Sequence, residues 1–322
     1  MGKSWEMDFK YEKLPLVSIV ILTYKKFQHI WGAIDSVYCQ DYPSIQLIIS
    51  DDGSEDFPKS EIEGYLKNKK SQNVQSYKII HHEQNIGTVK NLNIAYNNAD
   101  GEFVYPLSND DIFTTPEIVT KITQVFLKKK CNVVITSRMK CKEDGVPICL
   151  IPLRSELKYV NRFDTRDKQL KAFLTEQYYE MASGSALYLR KSFWESLGRF
   201  DEKYKLWEDG PFIAKVLSVD KIETCFDIVS IKYRIGGVSS GKKHPQLIIE
   251  KRLFDNSDKL VYATQLDWLA KKKIRFDIER NNATSRQELF FSYLKNPIGL
   301  LIRFLYKTRR KIAKYKERRL NM

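Results

Sequence analysis

Apolar positions along this chain fall into a repeating order. Val17–Leu22 is a β-branched run of the length of a buried strand. Phe27, Ile30, Trp31, Ile34, Val37 and Tyr38 then recur at helical spacing, which predicts an amphipathic helix that ends at Pro43. The same reading predicts strands over Ile45–Ser50, Gln75–His81, Glu102–Leu107 and Asn132–Thr136. It predicts helices over 58–70, Asn91–Ala99 and Pro116–Lys129. Strands that alternate with helices imply a parallel sheet covered on both faces. Between 140 and 180 the pattern weakens, with Pro147, Pro152 and many charges, and a long loop or lid is expected. A strand over Ser185–Leu189, a helix over Lys191–Leu197 and strands within 222–235 follow, and 245–322 is helical in composition.

Composition adds three constraints. An apolar content of 43% over 322 residues supports a sizeable core and one large α/β domain with an appendage. The five cysteines are widely spaced, with no CxxC pair, which argues against a zinc ribbon or a disulfide framework and fits a reducing compartment. The net charge of +14 is concentrated: residues 271–322 hold 16 Lys/Arg against 4 Asp/Glu, leaving the rest of the chain nearly neutral. Met1–Asp8 lacks the apolar core of a signal peptide. In the tail, Asn296-Pro297 reads as a helix start. Ile298, Leu301, Ile302, Leu305 and Ile312 form an apolar stripe among Arg303, Lys307, Arg310 and Lys314. Arg303 breaks the apolar run too early for a span. A basic amphipathic helix at an anionic membrane surface is expected, with packing on the catalytic domain as the alternative.

The candidate chemistry lies in three acidic pairs, Asp51-Asp52, Asp110-Asp111 and Glu208-Asp209. Adjacent carboxylates repel, so a fold tends to place them together only where a cation or a hydrogen-bonding ligand compensates. The first two pairs follow predicted strands, and open α/β sheets bind ligands beyond the carboxyl ends of their strands. Asp51-Asp52-Gly53-Ser54 also suits a plain turn, and Glu208-Asp209 a helix N-terminus.

The ordered set Val17–Tyr24, Asp51-Asp52-Gly53-Ser54, Asn85-Ile86-Gly87, Asp100–Val104, Asn109-Asp110-Asp111, Gly198–Asp201 and Trp207-Glu208-Asp209 resembles a family 2 glycosyltransferase. The resemblance covers roughly residues 15–240. It implies a GT-A fold, a Rossmann-like, mostly parallel sheet flanked by helices, here with a C-terminal helical extension. The catalytic domain would span 1–244, with a donor half over about 15–111 and an acceptor half over about 112–244. Residues 245–322 would form the helical, basic region.

The resemblance also implies roles. Thr23 and Tyr24 would help hold the nucleotide, Asp52 would take the base and Asp51 would support it. Lys90, where the family often has an Arg nearby, would face the diphosphate as a point charge. Asp111 would ligate Mn²⁺ or Mg²⁺, and Asp110 would reach the ribose or the donor sugar. Asp209 would be the general base that deprotonates the acceptor hydroxyl, with Glu208 helping to position it, so that transfer inverts the anomeric carbon. Arg234 would pair with phosphate beside a loop through Gly236, Gly237, Ser239 and Ser240 that closes over the diphosphate. His244 is a further candidate metal ligand, whereas His29, His81 and His82 read as structural. The acceptor would lie against Gly184-Ser185 and the 140–180 region. Neither a QxxRW-like motif nor a set of membrane spans is visible, which implies addition of one sugar.

The expected activity is inverting transfer of one hexose, with a UDP-hexose as donor. The acceptor would be a saccharide, in particular a polyprenyl-diphosphate-linked one for surface polysaccharide. The enzyme would be cytoplasmic, on the inner face of the cell membrane. The alternatives are a nucleotidyltransferase, which would want a glycine-rich phosphate loop near the first strand, and a basic-tail nucleic-acid module. The second is disfavoured because the positive charge lies at one end and bare acidic pairs repel phosphate, so no nucleic-acid partner is expected.

Overall fold

The computed structural model describes residues 14–69, 71–176, 183–236 and 244–320. Gly237, Ser239 and Ser240 of the expected diphosphate loop lie outside the described residues. The strands are β1 (Val17–Thr23), β2 (Ile45–Asp51), β3 (Val74–His81), β4 (Phe103–Ser108), β5 (Ile112–Phe113), β6 (Val133–Cys141), β7 (Pro147–Ile151), β8 (Leu187–Arg190) and β9 (Glu223–Arg234). The helices are α1 (Ile30–Tyr38), α2 (Lys59–Asn68), α3 (Thr88–Asn97), α4 (Ile118–Lys129), α5 (Arg154–Val160), α6 (Arg166–Leu174), α7 (Lys191–Ser196) and α8 (Asp209–Val219). Then follow α9 (Pro245–Asn256), α10 (Asp258–Ala263), α11 (Trp268–Asn282), α12 (Arg286–Lys295) and α13 (Pro297–Leu320).

The strands form a single sheet in the order β3-β2-β1-β4-β8-β6-β9-β5, with β7 pairing to β6. The first four strands are parallel, and β8 inserts antiparallel between β4 and β6. Alternation along β1 sends Val17, Ile19 and Ile21 into one core with α1, α2 and α4, and Val20 into a second core with α3, α7 and α8. Both faces are therefore dry, and each fully buried aliphatic side chain contributes about 1.5–3 kcal/mol.

One expectation changes. The 140–180 stretch is not a long loop among its described residues. β6 runs on to Cys141, turns through Asp144 and Gly145, and returns as β7, after which α5 and α6 pack below the sheet. The helical region after 244 shares its core with the catalytic sheet: Phe254, Ala263, Leu266, Ala270 and Ile274 lie in the same cluster as Tyr96, Phe200 and Phe212. The start of α13 packs as well. Gly299 fits against Phe276 so closely that a Cβ would meet the ring at 2.7 Å, and the Arg309 guanidinium lies 3.0 Å from the Tyr159 ring centroid. Farther along its outer face Leu301, Phe304, Leu305, Ile312 and Tyr315 stay exposed.

Candidate active site

The parallel topology brings the C-terminal ends of β1, β2 and β4 to one edge. At the end of β2, Asp51 is fully buried. Its carboxylate accepts hydrogen bonds from the Ser54 amide (2.7 Å) and hydroxyl (2.8 Å), and His81 Nδ1 lies 3.0 Å away. This braces a turn whose Gly53 has φ +76° and abuts the Gln84 backbone, where a Cβ would meet the carbonyl carbon at 2.2 Å. Asp52 accepts from Asn85 Nδ2 (2.9 Å), Ile86 N (2.8 Å) and Gly87 N (3.2 Å), which ties the Asn85–Gly87 loop to the strand end. Burial still pushes its carboxyl up, opposed by the Ile86 and Gly87 amides.

At the end of β1, Thr23 is buried and its hydroxyl accepts from Asn109 Nδ2 at 2.9 Å. The same amide reaches the carbonyls of Lys25 (3.3 Å) and Lys26 (3.2 Å), two residues held in the left-handed region. Tyr24 presents an exposed ring at this edge with Lys25 Nζ 5.1 Å from its centroid. Lys90 is exposed on the first turn of α3.

The second pair differs. Asp111 is 0% exposed; its Oδ1 accepts from the Arg234 amide at 3.1 Å, and its Oδ2 is buried without a hydrogen-bond partner. Burial and the Asp110 charge push Asp111 up to about 8, against the Arg234 amide, the Ser185 hydroxyl and Arg138. Desolvation also raises half-buried Asp110, opposed by its own amide, then His29, Arg234 and Lys26. An orphaned carboxylate oxygen beside a second carboxylate fits a hard divalent cation, which takes oxygen donors and completes its shell with phosphate and water. Among the described residues no group of three or more His, Cys, Asp or Glu stands close enough to hold a metal. His244 does not join Asp110 and Asp111: its Nδ1 accepts from the Gln246 amide (3.2 Å) at the exposed start of α9. The Arg234 guanidinium donates to the Glu143 carbonyl (2.8 Å) on the β6–β7 turn.

The third pair starts α8. Asp209 accepts from Gly210 N (2.6 Å) and Gly184 N (3.0 Å). Burial raises its carboxyl, and those two amides oppose the shift. Glu208 reaches about 8 through burial, the Asp209 charge and Glu250. The Gly184–Ala186 turn joins this pair to the second: Gly184 meets both acids, with Glu208 Oε1 2.3 Å from where a Cβ would stand, and Ser185 interacts with Asp111.

Each of the three histidines read as structural lies beside a site group. His81 bonds Asp51, and His82 acts on Asp52 while its Nε2 lies 3.0 Å from Asn91. His29 acts on Asp110. Spacing along the chain carried no signal of this, since strand ends bring these pairs together in space. Asn109 and Glu250 were missed as working parts, and only Asn109 stood inside a recognised motif.

With the geometry in place, sequence comparison is decisive. The profile described as Glycosyl transferase family 2 matches residues 18–197. The chain belongs to this family. Its relatives include an uncharacterized glycosyltransferase of Haemophilus influenzae, 31% identical over 38% of this chain and 36% of that one. Another, from Rickettsia typhi, is 27% identical over 69% of this chain and 64% of that one. The chain thus spans between about a third and two thirds of the length of these curated relatives. A Bacillus subtilis relative, TuaG, provisionally described as a teichuronic acid biosynthesis glycosyltransferase, is 26% identical over 42% of this chain and 51% of its own length. Among solved structures, Staphylococcus aureus TarS 1-349 in complex with UDP-GlcNAc superposes with a TM-score of 0.59 at 20% identity. That match covers 84% of this chain and 74% of that one. The mannosyltransferase PcManGT from Pyrobaculum calidifontis, in complex with GDP-Man and Mn²⁺, gives 0.57 at 16% identity over 94% and 85%. At these identities the likeness establishes the fold, and this family 2 chain has the GT-A architecture.

Proposed function

We propose that this family 2 chain transfers one sugar from a nucleotide sugar, with a UDP-hexose as the favoured donor, to a saccharide acceptor, with inversion and with a divalent cation. The observation that carries the reading is the Gly184–Ala186 turn, which couples the Asp110-Asp111 pair to the Glu208-Asp209 pair. A donor diphosphate held at the first and an acceptor hydroxyl at the second would meet across that turn. The bound cation would supply charge to the departing diphosphate. The protein's own share is positional. Asp52, Thr23 and Tyr24 form the wall for the nucleoside, Asp51 braces that wall, and Lys90 and Arg234 are the cations assigned to phosphate. Asp110 faces the ribose or donor sugar.

Asp209 and Glu208 divide their roles by environment. Both acids are raised by burial, but Asp209 is held by two backbone amides that favour its charged form. Glu208 is opposed by its own amide alone, while burial and the Asp209 charge push its carboxyl up. In this reading Asp209 is the base and Glu208 helps to position it. By analogy alone, the solved neighbours bound to UDP-GlcNAc and to GDP-Man support a nucleotide-sugar donor, and TuaG, with its teichuronic acid description, supports a glycan product.

The experiment is a panel of nucleotide sugars, with Mn²⁺, with Mg²⁺ and with chelator, followed by nucleoside diphosphate release. Metal-stimulated release with a UDP-sugar is expected. Neither release nor binding with any donor would overturn the reading.

A lipid-linked acceptor is favoured by the far end of the molecule. Phe290, Phe291 and Leu294 of α12 and Leu301, Phe304 and Leu305 of α13 are each more than half exposed, within the segment that holds most of the net positive charge. Among the described residues no helix is long and apolar enough to cross a membrane. An interfacial helix pair on anionic lipid fits both observations. The triple substitution Leu301→Glu, Phe304→Glu and Leu305→Glu is expected to abolish sedimentation with anionic vesicles while leaving donor hydrolysis intact; retained sedimentation would remove the membrane from the account.

A further inference from the structure

Glu250 lies on α9, in the stretch that the sequence assigns to the helical appendage, yet it is only 1% exposed. Its carboxylate accepts from three successive backbone amides: Lys205 at 2.8 Å, Leu206 at 3.1 and 3.2 Å to the two oxygens, and Trp207 at 2.9 Å. Gln246 Nε2 is a fourth donor at 2.8 Å. Successive amides converging in this way form an anion nest. Here the anion is part of the chain.

The bracketed stretch touches two parts of the site. At its near end, the Lys205 carbonyl accepts from Val89 N at 3.1 Å. Gly87 packs there so tightly that a Cβ would meet the Lys205 side chain at 2.5 Å. The Gly87 amide in turn donates to Asp52. At its far end, the Trp207 indole sits over Gly210, where a Cβ would meet Cζ2 at 2.1 Å, and Glu208 and Asp209 follow directly. Bringing a carboxylate out of water to hold three neutral amides is costly compared with covering the same backbone by apolar packing. What the carboxylate adds is a fixed direction for each amide, two residues before the acid that starts α8.

We propose that Glu250 is a positioning residue: it fixes the Lys205–Trp207 backbone so that Asp209 and the Asp52 wall are held in one register. This rests on the reading of Asp209 as the base. It also makes α9 part of the active site rather than an attachment to it. Small displacements of a reacting group cost rate out of proportion to their size, and about 1 Å can cost about 10²-fold.

The test compares Glu250→Gln and Glu250→Asp with the parent chain, reading kcat, donor KM, the fraction of molecules that bind nucleoside diphosphate, and thermal unfolding. Gln places an NH₂ group among three donors. Its kcat per binding-competent molecule is expected to fall by about tenfold or more, with a smaller, severalfold rise in donor KM. Asp keeps the charge and is expected to recover part of that loss. An unchanged kcat per competent molecule in either folded variant, whatever the melting temperature does, would reduce Glu250 to a structural role and overturn the proposal. If Glu250→Gln does not fold, Glu250→Asp carries the test alone through its kcat and KM. Asp209→Asn in the same assay separates the two ideas. A fully active Asp209→Asn overturns the base reading, whereas an inactive one beside a normal Glu250→Gln overturns only the positioning role.

Discussion

Asp51-Asp52 and Asp110-Asp111 invite comparison because they are the same two residues at equivalent places. Each pair follows a strand that neighbours β1 in parallel, at the same edge of the sheet. Their surroundings are opposite. Asp51 and Asp52 are saturated by Ser54, His81, Asn85 and the amides of Ile86 and Gly87. Asp111 keeps one buried oxygen with no partner, and its acidity is weakened accordingly. A carboxylate whose lone pairs are filled by the fold builds a wall, and one left bare waits for a ligand. Acidic composition at a strand end does not distinguish the two cases; the hydrogen-bond inventory does.

The sharpest way to break the comparison is to neutralise the bare pair. Asp111→Asn keeps the shape and removes the charge that a cation needs. Nucleoside diphosphate release is expected to fall by about 10²–10³-fold, on the scale of losing one electrostatic stabiliser of the transition state. Mn²⁺ binding measured by titration calorimetry should weaken in parallel, while the folded structure persists because the side chain keeps its shape. Metal-stimulated turnover at the parent rate would show that Asp111 is not the ligand.

A second prediction concerns pH. Asp111 and Glu208 are each pushed up to about 8, far above the ordinary range near 4 for an unfolded carboxyl. A carboxyl raised in this way binds its proton more tightly in the folded chain. Its stabilising contribution is therefore complete below about pH 4 and is lost as pH rises toward 8. The melting temperature of metal-free protein is expected to decline from about pH 5 to pH 8. A divalent cation should stabilise more at pH 8 than at pH 5, because its ligand must be ionised. Asp111→Asn should abolish the metal effect and flatten part of the slope, with Glu208 supplying the remainder. A metal-free melting temperature that rises across this window would contradict the assignment of both groups.

How much of this was legible in the chain follows the same division. β1 and β2 announce themselves through β-branched runs and β4 through an apolar one, and the parallel topology then places two of the acidic pairs near one edge. The hairpin of β6 and β7 was missed although Asp144-Gly145, with Gly145 at φ +86°, is a strong two-residue turn signal; the surrounding charges hid it. α6 was missed for a similar reason. Its Thr165 cap, which accepts from the Lys168 amide, stands among Asp and Arg residues that read as loop. The motif residues could be named from sequence, but not which carboxylates the fold would saturate, because the partners come from distant segments. Asp52 meets Gly87 across 35 positions, and Glu250 meets Lys205 across 45. Nothing local marks a single Glu in a polar helix as the holder of a loop that precedes it.

The smallest of the expected effects tests the saturated side. In Asp52→Asn the remaining oxygen can still accept from Ile86 and Gly87, but the charge that strengthens those bonds is gone and the new NH₂ faces Asn85. Hydrogen bonds to a charged group contribute about 1.5–3 kcal/mol, which sets the upper range for the loss of unfolding stability in denaturant titration. Because the Asn85–Gly87 loop also contacts Lys205, the loosening should reach the nucleoside wall, and donor KM is expected to rise severalfold with kcat nearly constant. That pattern is the reverse of the one expected for Asp111→Asn, where kcat carries the loss. If Asp52→Asn instead lost kcat at constant KM and full stability, the two pairs would be doing the same kind of work, and the division between a filled wall and a bare ligand would fail at the residue where it is best defined.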